Sequence, residues 1–326
     1  MHQATNGNWT RAYTYNEASL IEPGKKSNRL SSTAVGQRTE AYTYDTHGNM
    51  TSMPHLSLMG WNYKDELRVT SRQAMNDTPP PEKVPETTFY VYDASGQRVR
   101  KVTERQNGTR KKERIYLGGF EIYREYDVGG GTVTLERETL HVMDDQQRIA
   151  LVETKIIDTE NISETSLLTP IIRYQLGNHL GSVSLEVDAA GGVISYEEYH
   201  PYGTSAYRAG RSAAEVSLKR YRYTGMERDE ETGLSYHGAR YYASWLIRWT
   251  AADPIGLGDG INLYSYVENN PIMFFDFSGN GKEEQRLGKR NEELHKKHQE
   301  LANQRREQKK TKKNKIRNSN TCWKER

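Results

Sequence analysis

Tyrosines alternate with polar residues along most of this chain, and each alternating run stops at turn residues. YTYNEASL at 13–20 and YTYDTHGNM at 42–50 set the theme, and WNYKDEL at 61–67 and FYVYDASGQRV at 89–99 repeat it. YREYDVGGG at 123–131 and VSLEVDAAGGVISYEEYHPYG at 183–203 carry it further. Successive strand side chains point to opposite faces, so Tyr42 and Tyr44 share one face and Thr43 takes the other. Asp45 then opens a turn in which Gly48 and Asn49 are suited to the left-handed positions. Each copy reads as a β-hairpin, and many short strands without an intervening helical pattern predict an all-β architecture. The copies are irregularly spaced, which excludes a tight solenoid. TPPPEKVPE at 78–86 and LIEPGKKSNR at 20–29 read as exposed connections.

Composition adjusts this picture. A length of 326 residues suggests about two units. The hydrophobic fraction is 34%, and 5 Phe stand against 22 Tyr, so tyrosine supplies the aromatic bulk. A Tyr ring packs while its hydroxyl reaches water or a partner, which suits thin sheets with a wet face better than a thick dry core. The single cysteine, Cys322, rules out an internal disulfide. No run of 18 apolar residues exists to form a membrane-spanning helix. The first residues, MHQATNGNWTRAYTYNEASL, lack the apolar core of a signal peptide. The expectation is a chain that is either cytosolic or exported by a route that needs no cleaved signal.

The net charge of +3 hides an asymmetry. Residues 281–326 carry 16 Lys and Arg against 7 Glu, a balance of +9, which leaves −6 on residues 1–280. This tail reads as helical or disordered. Leu287, Leu294 and Leu301 form a thin apolar seam, but polar companions at 290–291 and 297–298 exclude a self-standing coiled coil. His295 and His298, beside Glu292 and Glu293, have a ligand-like spacing, but only Cys322 could complete the set, so no metal is expected. KKTKKNKIR at 309–317 suits nucleic acid or an anionic membrane surface, and suits an acidic enclosure equally. Gly129–Gly131 is a loop signal without a phosphate-binding context.

The candidate chemistry lies just before the tail, in DPIGLGDGINLYSYVENNPIMFFDFSGN at 253–280, where Asp-x-x-Gly occurs twice. Asp253-Pro-Ile-Gly256 and Asp276-Phe-Ser-Gly279 both fit type I turns, and turn aspartates are the plain reading. INLYSYV alternates like a strand, ENNP signals a turn, and IMFFD can return antiparallel, which would carry Asp276 back towards Asp253. Two adjacent carboxylates cannot both ionise cheaply; they share a proton and can act as an acid–base pair in peptide hydrolysis.

The Tyr-Asp-x-x-Gly copies resemble the YD repeats of Rhs/YD-repeat proteins. Residues 220–279, RYRYTGMERDEETGLSYHGARYYASWLIRWTAADPIGLGDGINLYSYVENNPIMFFDFSG, resemble the Rhs-associated core domain nearly end to end. HGNMTSMPHLSLMGWNYKDEL and LGNHLGSVSLEVDAAGGVISYEEYHPYG are similar in style to the C component of bacterial insecticidal toxin complexes. The likeness spans about residues 9–280.

The resemblance implies antiparallel YD-repeat hairpins forming part of a curled hollow shell, over 1–205. It implies a core domain at 206–280 that closes the shell and acts once, in cis, as an aspartyl autoprotease. Asp253 and Asp276 would be the catalytic pair, with Arg240 of GARYY assisting. The cut would fall between Asn280 and Gly281 and release residues 281–326 as cargo. A B-type shell component would be the partner, and no cofactor is implied. The chain departs from the family at the junction, with Phe277 in place of Pro and Asn280 in place of an apolar residue. Burying the Asn280 amide in a dry pocket would cost ~1–3 kcal/mol, which predicts a slowed cut. Two other readings stay open: a non-catalytic interaction scaffold or gene remnant, and an effector whose basic tail binds nucleic acid.

Overall fold

The computed structural model describes residues 10–281 apart from 20–21, 74–84, 146, 161–166 and 213–218, together with the short strands Gln3–Ala4, Gly7–Asn8 and Glu283–Glu284. Half of the described residues are in strands and only 4% are helical, so the all-β expectation holds. Residues 1–283 form one compact unit. The second unit, 284–326, falls outside the described residues except for Glu284, and so does the expected helical or disordered tail. The proline-rich connection lies largely outside them as well.

Twelve strands from Leu56–Trp61 to Ser205–Gly210 form one sheet, in which every strand pairs with its neighbours in sequence. All the registers given for these pairs are antiparallel. The Asp turns produce this meander. At Tyr92–Asp93, Asp93 Oδ1 accepts from the amides of Ser95 and Gln97, at 2.8 and 2.9 Å, and Gly96 takes φ +82°. Asp188 bonds Ala190 and Gly192 in the same way. Such a side chain supplies the turn with acceptors that the backbone alone would lack.

Two local expectations need correction, and one expected hairpin uses a different turn acceptor. Gly48 is left-handed at φ +93°, but Asn49 is not, because its amide is already drawn to Asp45 Oδ1 at 2.9 Å as the return strand begins. In WNYKDEL the turn acceptor is Asn62, which bonds the amides of Lys64 and Glu66, while Asp65 takes φ 60°. The first copy, YTYNEASL, makes no local hairpin: Arg11–Thr14 pairs with Ser32–Val35 across the intervening loop.

Residues 219–281 lie against this framework. A meander of Glu227–Arg228, Ser235–Tyr236, Tyr241–Ala243 and Arg248–Trp249 forms their small sheet. Leu234, Tyr241, Ala243 and Leu246 pack with Leu30, Met50, Leu56, Met59, Leu67 and Tyr90. Tyr223, Tyr242, Trp249, Tyr266 and Phe275 form a second cluster. Tyrosine is therefore a core residue here, and some of its hydroxyls are bonded internally: Tyr92 donates to the Leu67 carbonyl at 2.8 Å.

Charge crosses the same contact. Buried Arg98 meets Asp229 at 3.0 Å and Glu227 at 2.5 Å, and Lys101 meets Asp229 and Glu231 at 3.0 Å each. Burial lifts the Asp229 carboxyl above its ordinary value even beside these cations. Removing one member of such a set strands the others in a dry setting. Arg98→Met is expected to destabilise the chain by about 3–5 kcal/mol, read as a lowered urea midpoint. A loss within experimental error would show that Asp229 and Glu227 find water.

Candidate active site

The segment His237-Gly238-Ala239-Arg240 turns the chain from Ser235–Tyr236 into Tyr241–Ala243, with the His237 amide bonded to the Arg240 carbonyl at 3.0 Å. This turn grips the loop Asp276–Gly281. His237 Nδ1 bonds the Asp276 carbonyl at 2.5 Å, the Ala239 amide bonds the Ser278 carbonyl at 2.9 Å, and Arg240 Nε bonds the Gly279 carbonyl at 2.5 Å. The approach is close enough to require glycine at the crossing. Gly279 has φ +74°, and a Cβ there would lie 2.8 Å from the Arg240 nitrogen and the His237 oxygen.

The guanidinium of Arg240 brings the two aspartates together. Nη1 lies 2.9 Å from Asp253 Oδ2 and Nη2 lies 3.3 Å from Asp276 Oδ2. The three side chains are 2%, 7% and 2% exposed for Arg240, Asp253 and Asp276. Arg240 stands 4.2 Å over the Trp249 ring, whose π face adds a cation–π contact. The expected link between the carboxylates was a shared proton; the structure supplies a shared cation.

The two Asp-x-x-Gly segments behave differently. Asp253 makes the expected turn, its carbonyl accepting from Gly256 and its Oδ1 from Ile255, at 3.0 Å each. Asp276 does not: its carbonyl accepts from His237 and not from the Gly279 amide. Its carboxylate takes over: Oδ1 accepts from the Gly279 amide at 2.8 Å and Oδ2 from the Gly281 amide at 3.1 Å. The Gly281 nitrogen belongs to the Asn280–Gly281 peptide bond.

The path between the aspartates also differs from the expected hairpin. Tyr264 and Tyr266 are both buried, consistent with alternation, but only one bridge, Arg248–Ser265, pairs the segment. Val267, Glu268 and Asn269 then take φ of 43°, 51° and 60°, a left-handed reversal that leaves Phe274–Phe275 as the only strand on the return. Tyr266 stacks on Tyr242 with centroids 4.3 Å apart, so aromatic packing steers this path where a strand ladder does not. At the junction, Phe277 packs against the aromatic cluster, and Asn280 is exposed with its amide on Ser278 Oγ at 3.3 Å. The desolvation cost expected for Asn280 does not arise.

Sequence reasoning missed His237, Trp249 and the Gly279 crossing. The only signal available was their nearness to Arg240 in HGARYY and in the aromatic run that follows. Burial pushes the Asp276 carboxyl up from 3.8 to about 6, against the opposing pull of Arg240 and the Gly281 and Gly279 amides, with Asp253 raising it further. Burial also lowers His237 to about 4, which keeps the imidazole neutral. Among the described residues no group of three His, Cys, Asp or Glu side chains could hold a metal ion, and no helix is long and apolar enough to cross a membrane. His295, His298 and Cys322 lie outside them.

No family model matches the chain. Toxin subunit YenC1 of Yersinia entomophaga is 38% identical over 82% of this chain and 26% of its own length. Toxin subunit YenC2 of the same organism is 34% identical over 83% of this chain and 29% of its own length. The crystal structure of TcdB2–TccC3 matches with a TM-score of 0.65 at 27% identity, over 83% of this chain and 14% of that one. In sequence and in its all-β fold the chain is similar to Rhs/YD-repeat proteins. Within that class it is similar to the C component of insecticidal toxin complexes, and it spans about a quarter of the length of the curated relatives it matches.

A carboxyl with a raised folded-state pKa stabilises the fold when protonated. That contribution is complete below about pH 4 and is lost as pH rises through about 6. Wild type is therefore expected to lose up to ~3 kcal/mol relative to Asp276→Asn between pH 4 and pH 7. Paired denaturant titrations across that range check it, and parallel pH curves for the two proteins would contradict a buried, elevated Asp276.

Proposed function

We propose that this chain is the C-terminal part of a toxin-complex shell protein that hydrolyses its own Asn280–Gly281 bond and frees residues 281–326. On this reading 1–205 is shell, 206–280 is the self-cutting core domain, and 281–326 is the enclosed cargo. The observation that carries the proposal is the Gly281 amide on Asp276 Oδ2 at 3.1 Å, beside an Arg240 fork that also holds Asp253.

In the proposed step, Asp253 takes a proton from a water whose oxygen bonds to the Asn280 carbonyl carbon. The C–N bond to Gly281 breaks, and Asp276, protonated below about pH 6, delivers its proton to the departing nitrogen. One water is consumed, and proton transfer between the two carboxyl groups through solvent restores the pair. Arg240 offsets the charge on Asp253 and, by bonding the Gly279 carbonyl at 2.5 Å, fixes the chain one residue before the bond. A B-type shell partner is supported by the TcdB2–TccC3 pairing in the structural neighbours, and a bacterial origin with delivery to target cells by the toxin-complex relatives. The +9 tail and the −6 body suit each other as cargo and enclosure.

Intact-mass measurement of freshly purified protein is expected to find a fragment ending at Asn280 and another starting at Gly281. Asp276→Asn and Asp253→Asn are each expected to slow the cut by on the order of 10²-fold or more. Above about pH 6 the wild-type rate should fall with each added pH unit as Asp276 loses its proton. A chain that stays whole from pH 5 to 8, or that is cut equally well in Asp276→Asn, removes the proposal and leaves a non-catalytic shell scaffold.

A further inference from the structure

We infer that His237 is a positioning residue for the junction: its imidazole N–H holds the Asp276 backbone and thereby frees the Asp276 carboxylate to reach the Asn280–Gly281 bond. This rests on the proposed self-cleavage for its consequence, though not for its geometry.

In a hydrogen-bonded Asp-x-x-Gly turn, the first carbonyl accepts from the glycine amide, as Asp253 does with Gly256 at 3.0 Å. At Asp276 that acceptor is occupied by His237 Nδ1 at 2.5 Å. The Gly279 amide turns to Oδ1 instead, at 2.8 Å, and Oδ2 is left to meet Gly281 and Arg240. One histidine bond thus separates a structural turn from a loop whose carboxylate points along its own chain.

The surroundings fix the imidazole for this use. His237 is fully buried, and its ring meets Trp249, Tyr242 and Tyr266 edge-on, at centroid distances of 5.1, 6.0 and 6.1 Å. Nε2 has no hydrogen-bond partner, so the single proton of the neutral ring belongs on Nδ1, where an acceptor exists. A residue kept only for packing would avoid leaving a buried polar nitrogen bare. Neither the spacing of His237 from Asp276, 39 positions on, nor either Asp-x-x-Gly pattern announces this contact.

The test compares His237→Phe, which keeps an aromatic ring and removes the N–H, with His237→Asn, whose side-chain amide nitrogen occupies nearly the Nδ1 position. Cleavage half-times come from intact mass at pH 5.5. Hydrogen exchange at the Gly279 and Gly281 amides is followed in full-length chains whose cleavage is blocked by Asp253→Asn. His237→Phe is expected to slow the cut by on the order of 10²-fold and to lose protection at both amides, while His237→Asn restores both. Wild-type cleavage and protection in His237→Phe would overturn the inference. So would His237→Asn behaving like His237→Phe, since ring packing alone would then be responsible. If wild type is never cut, the autoproteolytic reading fails, and the exchange comparison still decides the role of His237.

Discussion

The guanidinium of Arg240 is the constraint on which this site depends. It is 2% exposed, yet it spans two carboxylates and a backbone carbonyl that come from two separate stretches of chain. A cation in such a place loses its hydration, and burial accordingly lowers its pKa below the ordinary value, with Asp253 and Asp276 pulling it back. Both acids and the Trp249 face offset the cost of burying this cation. Removing any one of them would unbalance the others, so the geometry of Asp253 and Asp276 is defined by the same side chain that makes their burial tolerable.

The same logic operates on a larger scale beneath the meander. Arg98 and Lys101 come from one sheet strand, while Glu227, Asp229 and Glu231 come from the start of the packed segment. Tyr221 adds a hydroxyl bond to Glu121 on another sheet strand. The apolar cluster that includes Leu234 and Met59 holds the two layers together but tolerates small shifts. Paired ions do not, because a displaced partner leaves a bare charge. The ion sets therefore fix the register of the segment against the sheet, and this register delivers Arg240 to its place.

The large features were legible because they are local. Alternating Tyr and Thr followed by Asp-x-x-Gly gives a strand and a turn within ten residues, and 42–50, 89–99 and 183–203 fold as that pattern requires. The meeting of Arg240, Asp253 and Asp276 was reached through the likeness of residues 220–279 to a known core domain, not through periodicity. What stayed hidden depends on contacts between distant positions. The expected hairpin from 261 to 276 gave way because Tyr264 and Tyr266 found aromatic and backbone partners that no strand pattern encodes. Asn280 looked like a misfit only so long as a dry pocket was assumed for it.

The contrast between the two aspartates follows from which backbone acceptor is free. Asp253 uses its carbonyl for the turn, and its carboxylate is divided between the Ile255 amide within the turn and Arg240. The Asp276 carbonyl accepts from His237, and its carboxylate accepts from two amides and shares a guanidinium. Burial alone would push the Asp276 proton affinity far up, and three donors alone would push it far down. Their opposition leaves it near 6, where a carboxyl can both give and recover a proton. A loop with the turn seen at Asp253 would bond the Gly279 amide through the backbone and leave the carboxylate outside that bond. The exchange of carbonyl for carboxylate makes the acid part of the loop's own hydrogen bonding, so it cannot move away from the Gly281 nitrogen without undoing the loop.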